Sequence, residues 1–169
     1  MDIIEAIMTR RSIRHFTGEL IRDEDLETIL KAGFQAPSAH NKQPWEFVVL
    51  RDREKLRAIK EFHKYAKMVE DAGTAIVVCG DKNKQDRMGF LVADTSAAIQ
   101  NMLLAAHGLN LGAVWCGIYD SNSLVEFFSQ LLKLLENILP IGMVVVGNKI
   151  RDRSIQDRYD ETKIHYDEW

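Results

Sequence analysis

The sequence predicts an α+β domain of about four strands, and three observations carry that expectation. Residues 74–79 form an unbroken apolar run closed by Gly80 and Asp81, and residues 138–147 form a second; such runs suit strands of a sheet covered on both faces. Between them, residues 88–108 make a helix-length stretch with Ala93, Ser96, Ala97 and Ala98 along it, small side chains that let another backbone approach closely. No linker rich in Gly, Ser or Pro and no internal repeat divides the 169 residues, so a single domain spanning 1–169 is expected.

Taken in order, Ile3, Ala6 and Ile7 mark one face of a short amphipathic helix that runs into an arginine cluster. Residues 23–34 place Leu26, Ile29 and Leu30 at helical spacing, with Asp23 as the expected N-cap and Gly33 near the end. Residues 36–44 hold two prolines among small polar side chains and read as a loop, after which 45–50 read as a strand. Residues 53–71 are helical and charged. Beyond the central helix, 111–118 read as a strand and 123–135 as a helix leading into the last strand. Residues 150–169 are too polar to bury alone yet end in aromatics, the composition of a tail that docks, commonly on a partner subunit.

Composition excludes several classes. Basic and acidic residues number 22 and 25, so no domain-wide positive field exists for a nucleic-acid backbone. The acidic N-terminus lacks the pattern of a secretory signal, and the apolar stretch 90–111 carries Asp94, Gln100, Asn101 and His107, as a buried helix does and a membrane span does not. Cys79 and Cys116 form no C-x-x-C pair and read as reduced thiols of a cytoplasmic protein. No metal site is expected: the five histidines show no ligand spacing, and the segment from Asp81 lacks the glycine and closing Glu of a calcium loop. Ser38 and His40 sit too close along one loop to argue a hydrolytic pair, and no G-x-G-x-x-G is present.

The most informative segment is Arg10-Arg11-Ser12-Ile13-Arg14-His15-Phe16. Guanidinium forks match phosphate oxygens two at a time, and a serine hydroxyl adds a donor without charge, so the cluster suits one phosphate. The same residues also suit a solvated helix end whose cations sit near its C-terminus; on this segment alone both readings stand.

Four motifs together resemble the small FMN-dependent nitroreductase family: the Arg10–Phe16 cluster; Ala36-Pro37-Ser38-Ala39-His40-Asn41 with Gln43-Pro44-Trp45; Gly112-Ala113-Val114-Trp115-Cys116-Gly117; and Asp157-Arg158-Tyr159, in this order. The resemblance runs nearly the whole chain. It implies a central, mostly antiparallel sheet flanked by helices and an intertwined homodimer, with 150–169 wrapping the partner. It further implies FMN as cofactor, NADH or NADPH as donor, and a small-molecule acceptor such as a nitroaromatic or quinone reduced by ping-pong hydride transfer. No residue of the chain is then catalytic in its own right, since flavin N5 carries the chemistry.

By the same resemblance, Arg10 and Ser12 match positions that hold the FMN phosphate, with Arg11 between them and Arg158 joining from the C-terminus. Arg14 matches a basic position reaching toward the flavin's pyrimidine end, and Lys67 is a looser second match that also reads as a surface lysine. Pro37, Ser38 and Ala39 match a segment lying along the ring held by the other protomer, and Asn41 offers an amide to the flavin edge or satisfies its own loop. Trp115, Cys116 and Gly117 match a strand end whose amides approach N5 and O4, Cys116 serving by its size. Two departures stand out: Gln156 occupies the place of a family lysine, and residues 147–151 lack the family's usual turn. Other chemistry on the same fold, such as dehalogenation or flavin fragmentation, or flavin binding without catalysis, are the alternatives.

Overall fold

The computed structural model describes residues 1–169. Its centre is a sheet of four strands: β1 (Trp45–Leu50), β2 (Thr74–Asp81), β3 (Gly112–Gly117) and β4 (Ile138–Gly147), in the order β1-β2-β4-β3. Every neighbouring pair is antiparallel. The two continuous apolar runs are the two middle strands, β2 and β4, covered on both faces as their composition requires.

Six α-helices and two 3-10 turns flank the strands or join them: α1 (Ile3–Thr9), α2 (Asp23–Phe34), α3 (Arg53–Phe62), α4 (Val69–Ala72), α5 (Met88–Gly108) and α6 (Asn122–Leu132), with the 3-10 turns at Ala39–Asn41 and Glu161–Lys163. On one face of the sheet, Ile29, Ile99 and Met102 of α2 and α5 pack on Ile76, Val78, Val144 and Val146. A Cβ at Gly33 would lie 2.4 Å from Met102 Cε, so the glycine lets α2 sit against α5. On the other face Leu56, Ile59, Val69 and Phe128 pack on Val77 and Val145. Burying these aliphatic and aromatic side chains is the main stabilising term, on the order of 1.5–3 kcal/mol for each large one.

Several expectations needed correction. The helix read across 53–71 is broken at His63: α3 stops at Phe62, a turn follows, and only Val69–Ala72 resumes. The break has a tertiary cause, since His63 is buried and bonded to the end of β3. Arg22, not Asp23, is the N-cap of α2; Asp23 is the first helical residue and binds Arg51. α6 ends at Leu132, where Lys133 takes a left-handed conformation (φ 53°). In α1 only Ala6 is buried; Ile3, Ile4, Ile7 and Met8 are all exposed, so its apolar face has no cover within the chain. The sheet agrees with the antiparallel expectation, and one isolated parallel bridge, Ser12 to Ala113, lies at its β3 edge.

Candidate active site

After α1 the chain straightens, and Ser12 forms a parallel bridge to Ala113 while Ile13 N–H donates to the Ala113 carbonyl at 3.0 Å. That bridge occupies only the start of the outer edge of β3. Because main-chain groups alternate along a strand, Ala113, Trp115 and Gly117 all turn their amides and carbonyls outward, away from β4. Beyond Ala113 this edge opens on a cleft of about 550 Å³ lined by Arg14, Lys64, Tyr65, Lys67, Met68, Val114, Trp115, Cys116 and Gly117. The Trp115 indole lies across Gly142, where an added Cβ would come 2.5 Å from Nε1, so residue 115 offers the edge chiefly its main chain. A Cβ at Gly117 would meet nothing closer than Asp120 Oδ1 at 3.7 Å. Nothing in this chain demands glycine there, and its absent side chain leaves room for something flat to approach the strand end.

A second cavity of about 590 Å³ shares Lys64, Tyr65 and Gly117 with the first and continues to Phe62, His63, Asp120, Ser121, Ser123 and Leu124. Phe62 stacks on Phe127 with centroids 4.2 Å apart, while Phe128 is fully buried in the core. The partition between the two cavities is fixed by His63, whose ring bonds the Gly117 carbonyl at one nitrogen and the Tyr65 amide at the other.

At the other end Arg14 joins the cleft to a wholly polar pocket of about 320 Å³ lined by Arg11, Ser12, Arg14, Arg153, Ser154, Gln156 and Arg158. The tail reaches it because Arg11 Nη2 donates to the Gln156 carbonyl at 2.8 Å. Arg11 uses Nη1 on the carbonyls of Met8 and Arg10, so its guanidinium is committed to holding helix end and tail together, with only its buried Nε unpartnered. Arg10, Arg14, Arg153 and Arg158 form no ion pair. Burial first, then repulsion from Arg11 and Arg158, lowers the Arg10 pKa below its ordinary value. A cationic cluster left without a carboxylate fits a bound phosphate and is costly otherwise.

The structure therefore brings Arg11, Ser12, Arg14 and Arg158 to the basic pocket and Arg14, Trp115, Cys116 and Gly117 to the cleft; Arg10 lines neither, but lies close enough to feel the charges of Arg11 and Arg158. Lys67 lines the cleft too, with Nζ donating to the Lys60 carbonyl at 2.7 Å, so it also ties off α3. Pro37, Ser38, Ala39 and Asn41 line neither the cleft nor the basic pocket. They lie by the start of α5, where the Ala39 amide donates to buried Asp94 at 2.9 Å. His40, Asn41 and Gln43 all have left-handed backbone, with φ of 54°, 52° and 47°. Three such residues without a glycine among them make this a strained, specifically shaped loop. Lys64, Arg153 and Ser154 were not foreseen: lysine in a turn reads as solvated surface, though the charge run 151–153 signalled cations at the tail's start.

Burial pushes the Cys116 thiol up to about 11, outweighing the opposite pull of Arg14, and burial pushes Cys79 up to about 12. Neither is an activated nucleophile. No helix is long and apolar enough to cross a membrane, and no group of His, Cys, Asp and Glu could hold a metal.

Comparison with known proteins agrees with this geometry. The profile of the nitroreductase family matches residues 7–66 and 60–148. The "Putative NADH dehydrogenase/NAD(P)H nitroreductase" of Methanothermobacter thermautotrophicus is 42% identical over 169 residues, covering 100% of this chain and 88% of its own. A crystal structure of a protein with the same name from Parabacteroides distasonis superposes with TM-score 0.95 at 34% identity, covering 99% of this chain and 98% of its own. A "putative nitroreductase in complex with fmn" from Desulfovibrio desulfuricans superposes with TM-score 0.87 at 31% identity, covering 100% and 98%.

Proposed function

The chain belongs to the nitroreductase family, and from that premise we propose that it uses NADH or NADPH to reduce electron-poor acceptors such as nitroaromatics or quinones through bound FMN, by ping-pong kinetics. It is an oxidoreductase with FMN as cofactor and NAD(P)H as donor. The observation that carries the reading is the pairing of a carboxylate-free cationic pocket with a flat cleft along a free strand edge, the two joined by Arg14. The chemistry such a cofactor supplies when bound is transfer of a hydride from a reduced nicotinamide to the acceptor.

The roles of the chain's own residues follow from their positions. Arg10, Ser12 and Arg158 hold the phosphate, while Arg11 anchors the tail that brings Arg158 there. The outward amides of Trp115 and Gly117 offer hydrogen bonds to the polar edge of the ring, and Gly117 leaves space for it. Arg14, helped by Lys64 and Lys67, places positive charge where reduction deposits negative charge, an arrangement that favours the reduced form. No acid or base of the protein is required for the hydride step; positioning and charge are its contribution.

The working unit in this proposal is a homodimer. The bare apolar face of α1, the exposed aromatics of the tail and the absence of residues 37–41 from the lining of their own chain's cleft all support it. In the dimer, Pro37, Ser38, Ala39 and Asn41 complete the partner's cleft, and the part of the tail beyond Arg158 lies across the partner.

The test is an absorbance spectrum of purified protein under anaerobic conditions. A bound flavin spectrum, bleached by NADH or NADPH and restored by a quinone or nitroaromatic, is expected. Folded protein that takes up no FMN, or bound flavin that neither donor reduces, would overturn the proposal.

A further inference from the structure

Beside the basic pocket lies a separate cavity of about 110 Å³, lined by Ile13, Arg14, His15, Arg151 and Arg153. Three arginines and a histidine line it, and no carboxylate pairs with any of them. The one acid between the two tail arginines, Asp152, is held by Lys149 at 2.5 Å. Main-chain bonds fix the arrangement: Ile150 N–H donates to the His15 carbonyl at 3.2 Å, and Phe16 bridges Lys149, so residues 13–15 and 151–153 are drawn alongside one another. Like charges brought together by the backbone repel one another until an anion sits among them.

The cavity's volume is one fifth that of the cleft, room for a phosphoryl group but not for a ring system. It shares Arg14 with the cleft and both Arg14 and Arg153 with the basic pocket, while His15 and Arg151 line it alone, so all three open from one line of cations. FMN carries a single phosphate, already allotted to Arg10, Ser12 and Arg158. The other molecule that must reach the cleft, the dinucleotide donor, carries at least two. We infer that Arg14, His15, Arg151 and Arg153 form a second anion site that binds a phosphoryl group of the NADH or NADPH donor. The inference rests on the flavin-reductase reading above and adds where that donor is gripped.

Steady-state kinetics of FMN-loaded enzyme test it, using the Arg151→Gln variant, since Arg151 does not line the basic pocket. The donor KM rises about tenfold in Arg151→Gln, as loss of one charge-assisted hydrogen bond implies, with FMN content unchanged. A rise confined to NADPH assigns the site to the 2′-phosphate, and an equal rise for NADH assigns it to the pyrophosphate. In the unaltered enzyme, inorganic phosphate competes with the donor, and Arg151→Gln weakens that inhibition. Unchanged KM for both donors, or loss of FMN from Arg151→Gln, overturns the inference. Failure of the underlying reading looks different: the unaltered protein itself would bind no flavin or oxidise neither donor.

Discussion

His63 Nε2 donates to the Gly117 carbonyl across 2.9 Å, while its Nδ1 accepts the Tyr65 amide at 3.2 Å. The second bond puts the ring's proton on Nε2, and the two together lock the turn carrying Lys64, Tyr65 and Lys67 to the end of β3. Removing the ring leaves a buried carbonyl and an amide unpaired. His63→Ala should lower unfolding free energy by about 1–3 kcal/mol for the unmet groups, before any cavity term. Urea denaturation measures this, and an unchanged midpoint would contradict the clamp.

His107 lies against Thr9 Oγ1 at 2.8 Å on the inner side of α5. Burial, then repulsion from Lys149, lowers its pKa from the ordinary 6.5. The folded state thus binds its proton less readily than the unfolded state. The stability this contributes is present above pH 6.5 and is lost as pH falls below that value toward the folded pKa. Unfolding curves between pH 7 and 5 should show a decline that His107→Gln reduces; an equal decline in both proteins would refute the assignment.

Cys79 and Cys116, both buried, are held protonated by burial, at about 12 and about 11. At pH 8 only about one Cys116 in a thousand is thiolate, so neither thiol should react with iodoacetamide until the chain unfolds. The sign on stability is opposite to that of His107. The contribution is complete below the unfolded thiol value of 9 and disappears as pH climbs through 11, at a rate of about 1.4 kcal/mol per pH unit for each thiol. Rapid alkylation of native protein at pH 8 would show that the β3 end is more open than described.

Gln156 lines the basic pocket while its carbonyl is pinned by Arg11, so a longer cationic side chain there starts from a fixed main chain. Gln156→Lys should tighten FMN binding by about 1 kcal/mol, roughly fivefold, with little change in turnover. No gain in a titration of apoprotein would mean that the arginines already saturate the phosphate.

Much of this architecture could be read from the chain, and the exceptions have physical causes. α2, α5 and β4 fall at the residues expected because periodicity or an unbroken apolar run marks them and nothing tertiary competes. The break at His63 carries no proline or glycine; it comes from a hydrogen bond to a strand 54 residues away, which local pattern cannot show. The segment 10–14 alone leaves a phosphate site and a solvated helix end both open; the structure adds that Ser12 and Arg14 line a pocket with Arg158 from the tail. The place of Arg153 and Ser154 is not legible, because a tail without periodicity gives no direction to its side chains; long-range bonds such as Ile150 to His15 and Arg11 to Gln156 bring them in. That the apolar face of α1 lies bare is not legible, because sequence marks an apolar face without saying whether the same chain covers it.

In the proposed complex, arginines from both ends of the chain meet around one phosphate. Titrating apoprotein with FMN, followed by quenching of flavin fluorescence, tests it most directly when the unaltered protein is compared with Arg10→Ala and Arg158→Ala. Saturation at one FMN per chain is predicted, with each substitution weakening binding about tenfold to a hundredfold through loss of a charge-assisted hydrogen bond. Folded variants that bind FMN as tightly as the parent would contradict it.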